Sequence, residues 1–587
     1  MVLNAMDPHS YANTDQVQVT HMTLDLRLNF EAQTIAGTVT LDLDRRAPKL
    51  VLDTDQLIIQ AVQDGAGNPL EYTLSPAKAY MGQALYVTLH DQTTQVTIQY
   101  TTSPSAGAIQ WLSSEITQSH KPFVFTQSQA TLARSWIPCM DSPSIKGTYR
   151  ATIRVPAGLT AVMSAAHKDH DVERGVFTFQ MDQPIPSYLI ALAVGDLKFA
   201  SLSDRTGVYA EPGVVDAAAA EFRDAEKMLK AAESLLGPYE WERWDILVLP
   251  ASFPFGGMEN PRITFATPTV IAGDRSLVSL LAHELAHSWS GNLVTNATWN
   301  DFWLNEGFTT YIENRIMEQL YGKDLAAMMG LLGQQDLQAA VKSLPAEDTK
   351  LKLDLKGRNA DDGMSDVAYE KGANMLRLME QAFGRDAFDI YLKGYFHRYK
   401  FKTLTTEDWL SDAKAQLQGN PNDIWERVEN WVYQPGIPVD MVRLSSSRFK
   451  ARTDDAKNWA TSGTLPKTDE WVTQEWLHFL RSLPQQLAPE KLADLDRSFG
   501  LTHTGNAEIA CTWFTLCIAN NYTPSYDAVQ TFLGTIGRRK FLMPLYEALL
   551  ANPNTKELAD AIYRKSRSNY HSISQASLDK LFSGPIQ

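Results

Sequence analysis

Two histidines four residues apart, His283 and His287, enclose Glu284 in the run His283-Glu284-Leu285-Ala286-His287. Residues at that spacing share one face of a helix, so both imidazoles can point at a single ion. Catalytic zinc takes nitrogen and oxygen ligands and keeps one position open for water. The following segment, FWLNEGFTTYIENRI, offers Glu306 as the third ligand, with eighteen residues between it and His287. Glu313 lies two turns further along and suits a hydrogen bond to a ligand histidine. Glu284 stands beside His283 and can reach a water rather than the ion, which is where a general base belongs. With only 12 histidines in the chain, chance seldom produces this arrangement.

A helix must carry the motif. DRSLVSLLAHELAHSWSG has helical spacing, with Asp274 or Ser276 placed to cap its start and Gly291 to end it. The first two hundred residues instead read as β. Met22, Leu24, Leu26, Leu28 and Phe30 alternate with polar residues, as do Val39, Leu41 and Leu43, then Leu85, Val87 and Leu89. Val96 and Ile98, Ile153 and Val155, and Phe177 and Phe179 continue it, the period of half-buried antiparallel strands. Near residue 203 the pattern changes, and VVDAAAAEFRDAEKMLKAAESLL is built from good helix formers. Helical segments run to about Trp431, YQPGIP breaks the chain, and polar sequence follows through Thr468. Apolar helical spacing then resumes at Trp476, Phe479 and Leu480, and at Leu542, Leu545 and Leu549. The reading is a multidomain α+β protein: a β-rich domain over 1–203, a mainly helical catalytic domain over 204–438, a linker over 439–468 and an all-α domain over 469–587.

Composition limits the partners. The 587 residues carry a net charge of −15, which does not suit a nucleic acid. The longest apolar run, Leu189 to Val194, is too short to cross a bilayer. The N-terminus has neither the basic start nor the apolar stretch of a signal peptide. Three cysteines, Cys139, Cys511 and Cys517, do not look like a disulfide framework, and a reducing, cytoplasmic setting fits them. The chain is expected to act as a monomer.

The HELAH run, Glu306 within WLNEGF, and GGMEN at Gly256 to Asn260 together resemble the gluzincin zinc aminopeptidases, in the branch of leukotriene hydrolase and aminopeptidase B. The resemblance implies a thermolysin-like catalytic domain between a β domain and a helical C-terminal domain, with one Zn²⁺ per chain. It implies that peptides with a free N-terminus are the substrates and that Glu259 grips their α-ammonium group. Gly256, Gly257 and Met258 join Glu259 in the substrate-binding run, the glycines letting backbone approach the peptide closely. Tyr369 in AYEKG matches the tyrosine that stabilises the oxyanion, and Gln129 in TQSQA a glutamine near the ammonium site. Arg538 and Lys540 in GRRKF match a basic pair that receives the substrate's C-terminal carboxylate. Met364 stands where leukotriene hydrolase has a second tyrosine used in epoxide chemistry, Asp361 matches an acid of that reaction, and Phe255 replaces a tyrosine beside GGMEN. Two further readings stay open: an enzyme that also opens a lipid epoxide, and a peptide-binding protein without catalysis.

Overall fold

The computed structural model describes residues 7–584. The alternating segments become strands with the apolar side inward. Val17–Asn29 buries Met22, Leu24, Leu26 and Leu28 and exposes Asp25 and Arg27. It pairs antiparallel with Thr34–Arg45 and parallel with Lys146–Arg154, at the centre of a seven-stranded sheet. Smaller sheets of three and four strands complete the β-rich part. The run Leu189 to Val194 is buried throughout and leads into an inner strand, Leu192–Gly195. No helix among the described residues is long and apolar enough to cross a membrane.

A second, five-stranded sheet opens at Lys198, a few residues before the helical pattern begins. Its inner strands Trp244–Val248 and Ile263–Ala266 are fully buried, and Gly257–Met258 forms its edge. Edge strands present unpaired backbone groups, and here that edge carries the GGMEN run. The alanine-rich segment forms two helices, Val215–Glu221 and Ala225–Leu236, rather than one. One continuous apolar core runs through both sheets and the catalytic helices, from Val17 to Val432. The C-terminal helices hold a separate core from Ala456 to Leu578, which includes Phe479, Leu480, Leu542, Leu545 and Leu549.

The polar stretch expected as a linker is in large part a helix, Ser447–Ser462. Ser446 caps it by accepting from the Phe449 N–H. Only Phe449, Ala456 and Trp459 are buried along it, so its apolar stripe is too thin to stand out in so polar a segment.

Candidate active site

The motif helix is short, Ser279–Ala286, and begins later than the cap residues suggested. Asp274 closes a local turn by accepting from the Ser276 N–H, and the helix starts at Val278 without a side-chain cap. Beyond His287 the chain turns tightly and reaches Gly291 at φ +120°, a left-handed conformation that glycine tolerates. The next long helix, Trp303–Tyr321, lies against the motif helix and brings Glu306 to the histidines.

His283 Nε2 and His287 Nε2 stand 3.2 and 3.3 Å from the same oxygen, Oε2 of Glu306. Tetrahedral zinc with bonds of about 2.0–2.1 Å needs donors about 3.3 Å apart, so this donor set fits the ion. The other ring nitrogens are occupied. His283 Nδ1 is 3.1 Å from Glu313 Oε2, and His287 Nδ1 is 2.8 Å from the Ser290 carbonyl and 3.0 Å from Thr309 Oγ1. Carboxylate and carbonyl acceptors at Nδ1 hold each ring with Nε2 turned toward Glu306, so that a bound ion would meet two Nε2 lone pairs. Burial raises the Glu306 carboxyl's proton affinity, but His287 and His283 outweigh it and keep the group ionised.

Glu284 is buried, and burial pushes its carboxyl up to about 8 against the pull of His283 and His287. A dication among the three ligands would draw it back toward neutrality, where a group that takes and returns a proton works best. Gly257 makes room for it. A Cβ on Gly257 would lie 2.3 Å from Glu284 Oε1 and 2.5 Å from its Cγ. With Glu284 as the expected general base, the Gly257→Ala variant should keep its metal and lose about 10²-fold in kcat, since displacing such a group by about 1 Å has that order of cost. Metal analysis beside steady-state kinetics checks this, and an unchanged kcat would show that Glu284 has room to spare. Gly256 is just as constrained, with Leu280 Cδ1 at 2.6 Å and Arg538 Nη2 at 2.7 Å from its would-be Cβ. Both glycines thus admit the chain's own side chains, whatever space they also leave for a peptide.

Tyr369 sits in a π-helical turn, Val367–Lys371, and its ring stacks on His283 at 5.9 Å and 21°. Such turns re-aim single side chains and recur at functional sites. Burial, then Glu306, Glu259 and Glu284, push its phenol well above the usual range, so it stays a proton donor. The helix that follows, Gly372–Phe383, crosses Trp303–Tyr321 with backbone against backbone. A Cβ on Gly372 would lie 2.7 Å from Gly307 Cα, and one on Gly307 2.8 Å from Gly372 Cα. Glycine inside a helix costs roughly 0.5–1 kcal/mol against alanine. Here it permits a contact that no larger residue allows.

Glu259 is buried, and one of its oxygens, Oε1, has no hydrogen-bond partner. It has an oxygen within 4.8 Å of ligand atoms of Glu284 and His287, so the GGMEN run does reach the metal group. Gln129 is buried with its amide nitrogen unpartnered and makes no hydrogen bond to Glu259. Met258 is turned into the core, with Gln127 Nε2 at 3.1 Å from its sulfur, leaving only its backbone for a substrate. Arg538 reaches the GGMEN run at Gly256, and Arg538 and Lys540 share Glu508, which spacing in the sequence did not single out. Asp361 is pushed up to about 6 by burial, against the pull of Arg539, while Met364 and Phe255 pack against the main core.

Comparison with known proteins covers the whole fold. The peptidase M1 N-terminal domain matches residues 8–189, the peptidase family M1 domain 220–431, and the leukotriene A4 hydrolase C-terminal domain 471–582. Leucine aminopeptidase 2 of Yarrowia lipolytica is 36% identical over 98% of this chain and 93% of its own length. Leukotriene A-4 hydrolase of Xenopus laevis is 36% identical over 97% of this chain and 98% of its own. Yeast leukotriene A4 hydrolase, solved in complex with bestatin, superimposes with a TM-score of 0.92 at 32% identity, covering 99% of this chain and 98% of that one.

Proposed function

Because this chain belongs to peptidase family M1 and is a zinc-dependent aminopeptidase, we propose that Glu284 is its general base, Tyr369 its oxyanion donor and Glu259 the anchor for the substrate's α-ammonium group. His283, His287 and Glu306 hold the ion in this reading. When bound, zinc polarises a carbonyl and lowers the pKa of a water to about 7. Glu284 takes a proton from the attacking water onto its carboxylate and returns it to the leaving amide nitrogen as the C–N bond breaks. The Tyr369 hydroxyl donates to the carbonyl oxygen as charge gathers there. Glu313 and the Ser290 carbonyl keep the Nδ1 protons of the ligand imidazoles in place throughout.

The observation that carries the exopeptidase reading is the unpartnered oxygen of Glu259, buried beside Glu284 and His287. A buried carboxylate left unpaired costs several kcal/mol, and a free N-terminus is the cation that relieves it. The Glu259→Gln variant is expected to raise KM for peptides with a free N-terminus about 10²-fold or more, and to narrow the preference for them over N-acetylated peptides. Equal cleavage of free and acetylated peptides by the wild-type enzyme would remove Glu259 from this role.

Arg538 and Lys540 receive the C-terminal carboxylate of short peptides, and Gln129 adds an acceptor near the ammonium group. The working unit in this reading is a monomer. All three cysteines are buried and unpaired, which supports a reducing compartment such as the cytoplasm. Opening of a lipid epoxide is the second reading, supported by the name of the Xenopus laevis relative and weakened by Met364 in place of a second tyrosine. Incubation with an allylic epoxide and product analysis decides it.

A further inference from the structure

The two basic side chains of the C-terminal helices are not free. Lys540 Nζ lies 2.9 Å from each oxygen of Glu508. Arg538 Nη1 is only 3.4 Å from Glu508 Oε1 and 3.3 Å from Thr269 Oγ1, both long contacts for a guanidinium. Arg538 is 8% exposed, and its buried Nε has no partner at all. Glu508 sits in the first turn of the helix Ala507–Ala519, where the helix dipole favours negative charge. Burial raises its carboxyl, but Lys540 and then Arg538 outweigh that and hold it below the usual range. The trio therefore carries one net positive charge rather than two, with an anion already seated on the better-bonded cation and a loosely satisfied guanidinium beside it.

We infer that Glu508 is a specificity-determining residue that competes with the substrate's C-terminal carboxylate for Arg538 and Lys540. This rests on the proposal that the pair receives that carboxylate. An incoming carboxylate must bind beside a fixed like charge and take Lys540 partly away from it, so the advantage of a free-acid peptide over its C-terminal amide is held down. The bonds left unmade at Arg538 point to where the substrate's carboxylate gains most.

The test compares kcat/KM for a tripeptide as free acid and as C-terminal amide. In Glu508→Gln the acid-to-amide ratio is expected to rise about 10-fold, through a lower KM for the acid with kcat little changed. Glu508→Met, uncharged and similar in size, should move the ratio the same way and serves if the Gln variant folds poorly. An unchanged ratio in both variants, or a fall, overturns the inference; a fall would mean that Glu508 holds the cations in place. The double variant Arg538→Gln and Lys540→Gln, set against the otherwise native chain, separates the two claims. A ratio that collapses there upholds the carboxylate site, whereas one unmoved removes the site itself and Glu508's role with it.

Discussion

The Glu284→Gln variant should carry one zinc per chain and turn over free peptides about 10³-fold more slowly than the native enzyme. The three ligand residues do not depend on Glu284, because Glu306 and the Nδ1 partners Glu313, Ser290 and Thr309 already fix both imidazoles. Glutamine keeps the size of the side chain, so the close packing against Gly257 survives. What disappears is an oxygen that can hold a proton between water and leaving nitrogen. Metal analysis and kcat, measured on the same preparation, decide it. Near-native turnover would remove Glu284 as the base, and a metal-free variant would make it a structural part of the ligand cage.

Tyr369→Phe should lower kcat by about 10²–10³ while KM stays close to the native value. The phenol's hydrogen bond matters where charge develops on the carbonyl oxygen, in the transition state, and an interaction made only there appears in kcat. Phenylalanine preserves the ring that stacks on His283 at 5.9 Å, so zinc content should not change. Because the native phenol is held well above its usual pKa, it has no proton to lose in the working pH range, and the loss in rate should be the same from pH 6 to pH 9. A variant that loses KM and kcat in equal measure, or loses its metal, would assign the tyrosine to packing instead.

Much of the fold is legible in the sequence because two periods are written plainly there. Leu24, Leu26 and Leu28 alternate, and the alternation becomes a buried face. The C-terminal Leu542, Leu545 and Leu549 repeat at helical spacing and become core. The helix at Ser447–Ser462 escaped because three buried residues in a polar stretch make no visible stripe. The start of the motif helix is not legible because Asp274 satisfies a turn of its own, a use of the side chain that looks the same in sequence as a helix cap. The ligand set is local, two residues on one helix and one on the next, so spacing alone gathers it. Glu508 is not: it meets Arg538 and Lys540 from another helix, and no short-range pattern announces a contact thirty residues away. Gly307 follows Glu306 directly and Gly372 comes three residues after Tyr369, but the reason for both glycines is a helix crossing that only the three-dimensional structure supplies.

That crossing fixes which parts of the catalyst stay together. With Gly307 and Gly372 in backbone contact, the Glu306 carboxylate proposed to hold the ion and the Tyr369 phenol proposed to face the carbonyl ride on one stiff frame. The C-terminal helices have a core of their own, yet the backbone N–H groups of Gly537 and Arg539 donate to the Ala251 and Pro254 carbonyls just ahead of GGMEN. The segment that carries Arg538 and Lys540 is thus tied to the loop that carries Glu259, and the span a peptide must bridge is set by that seam. Changing the length of peptide accepted then means reworking that seam, while the Gly307–Gly372 crossing stays as it is.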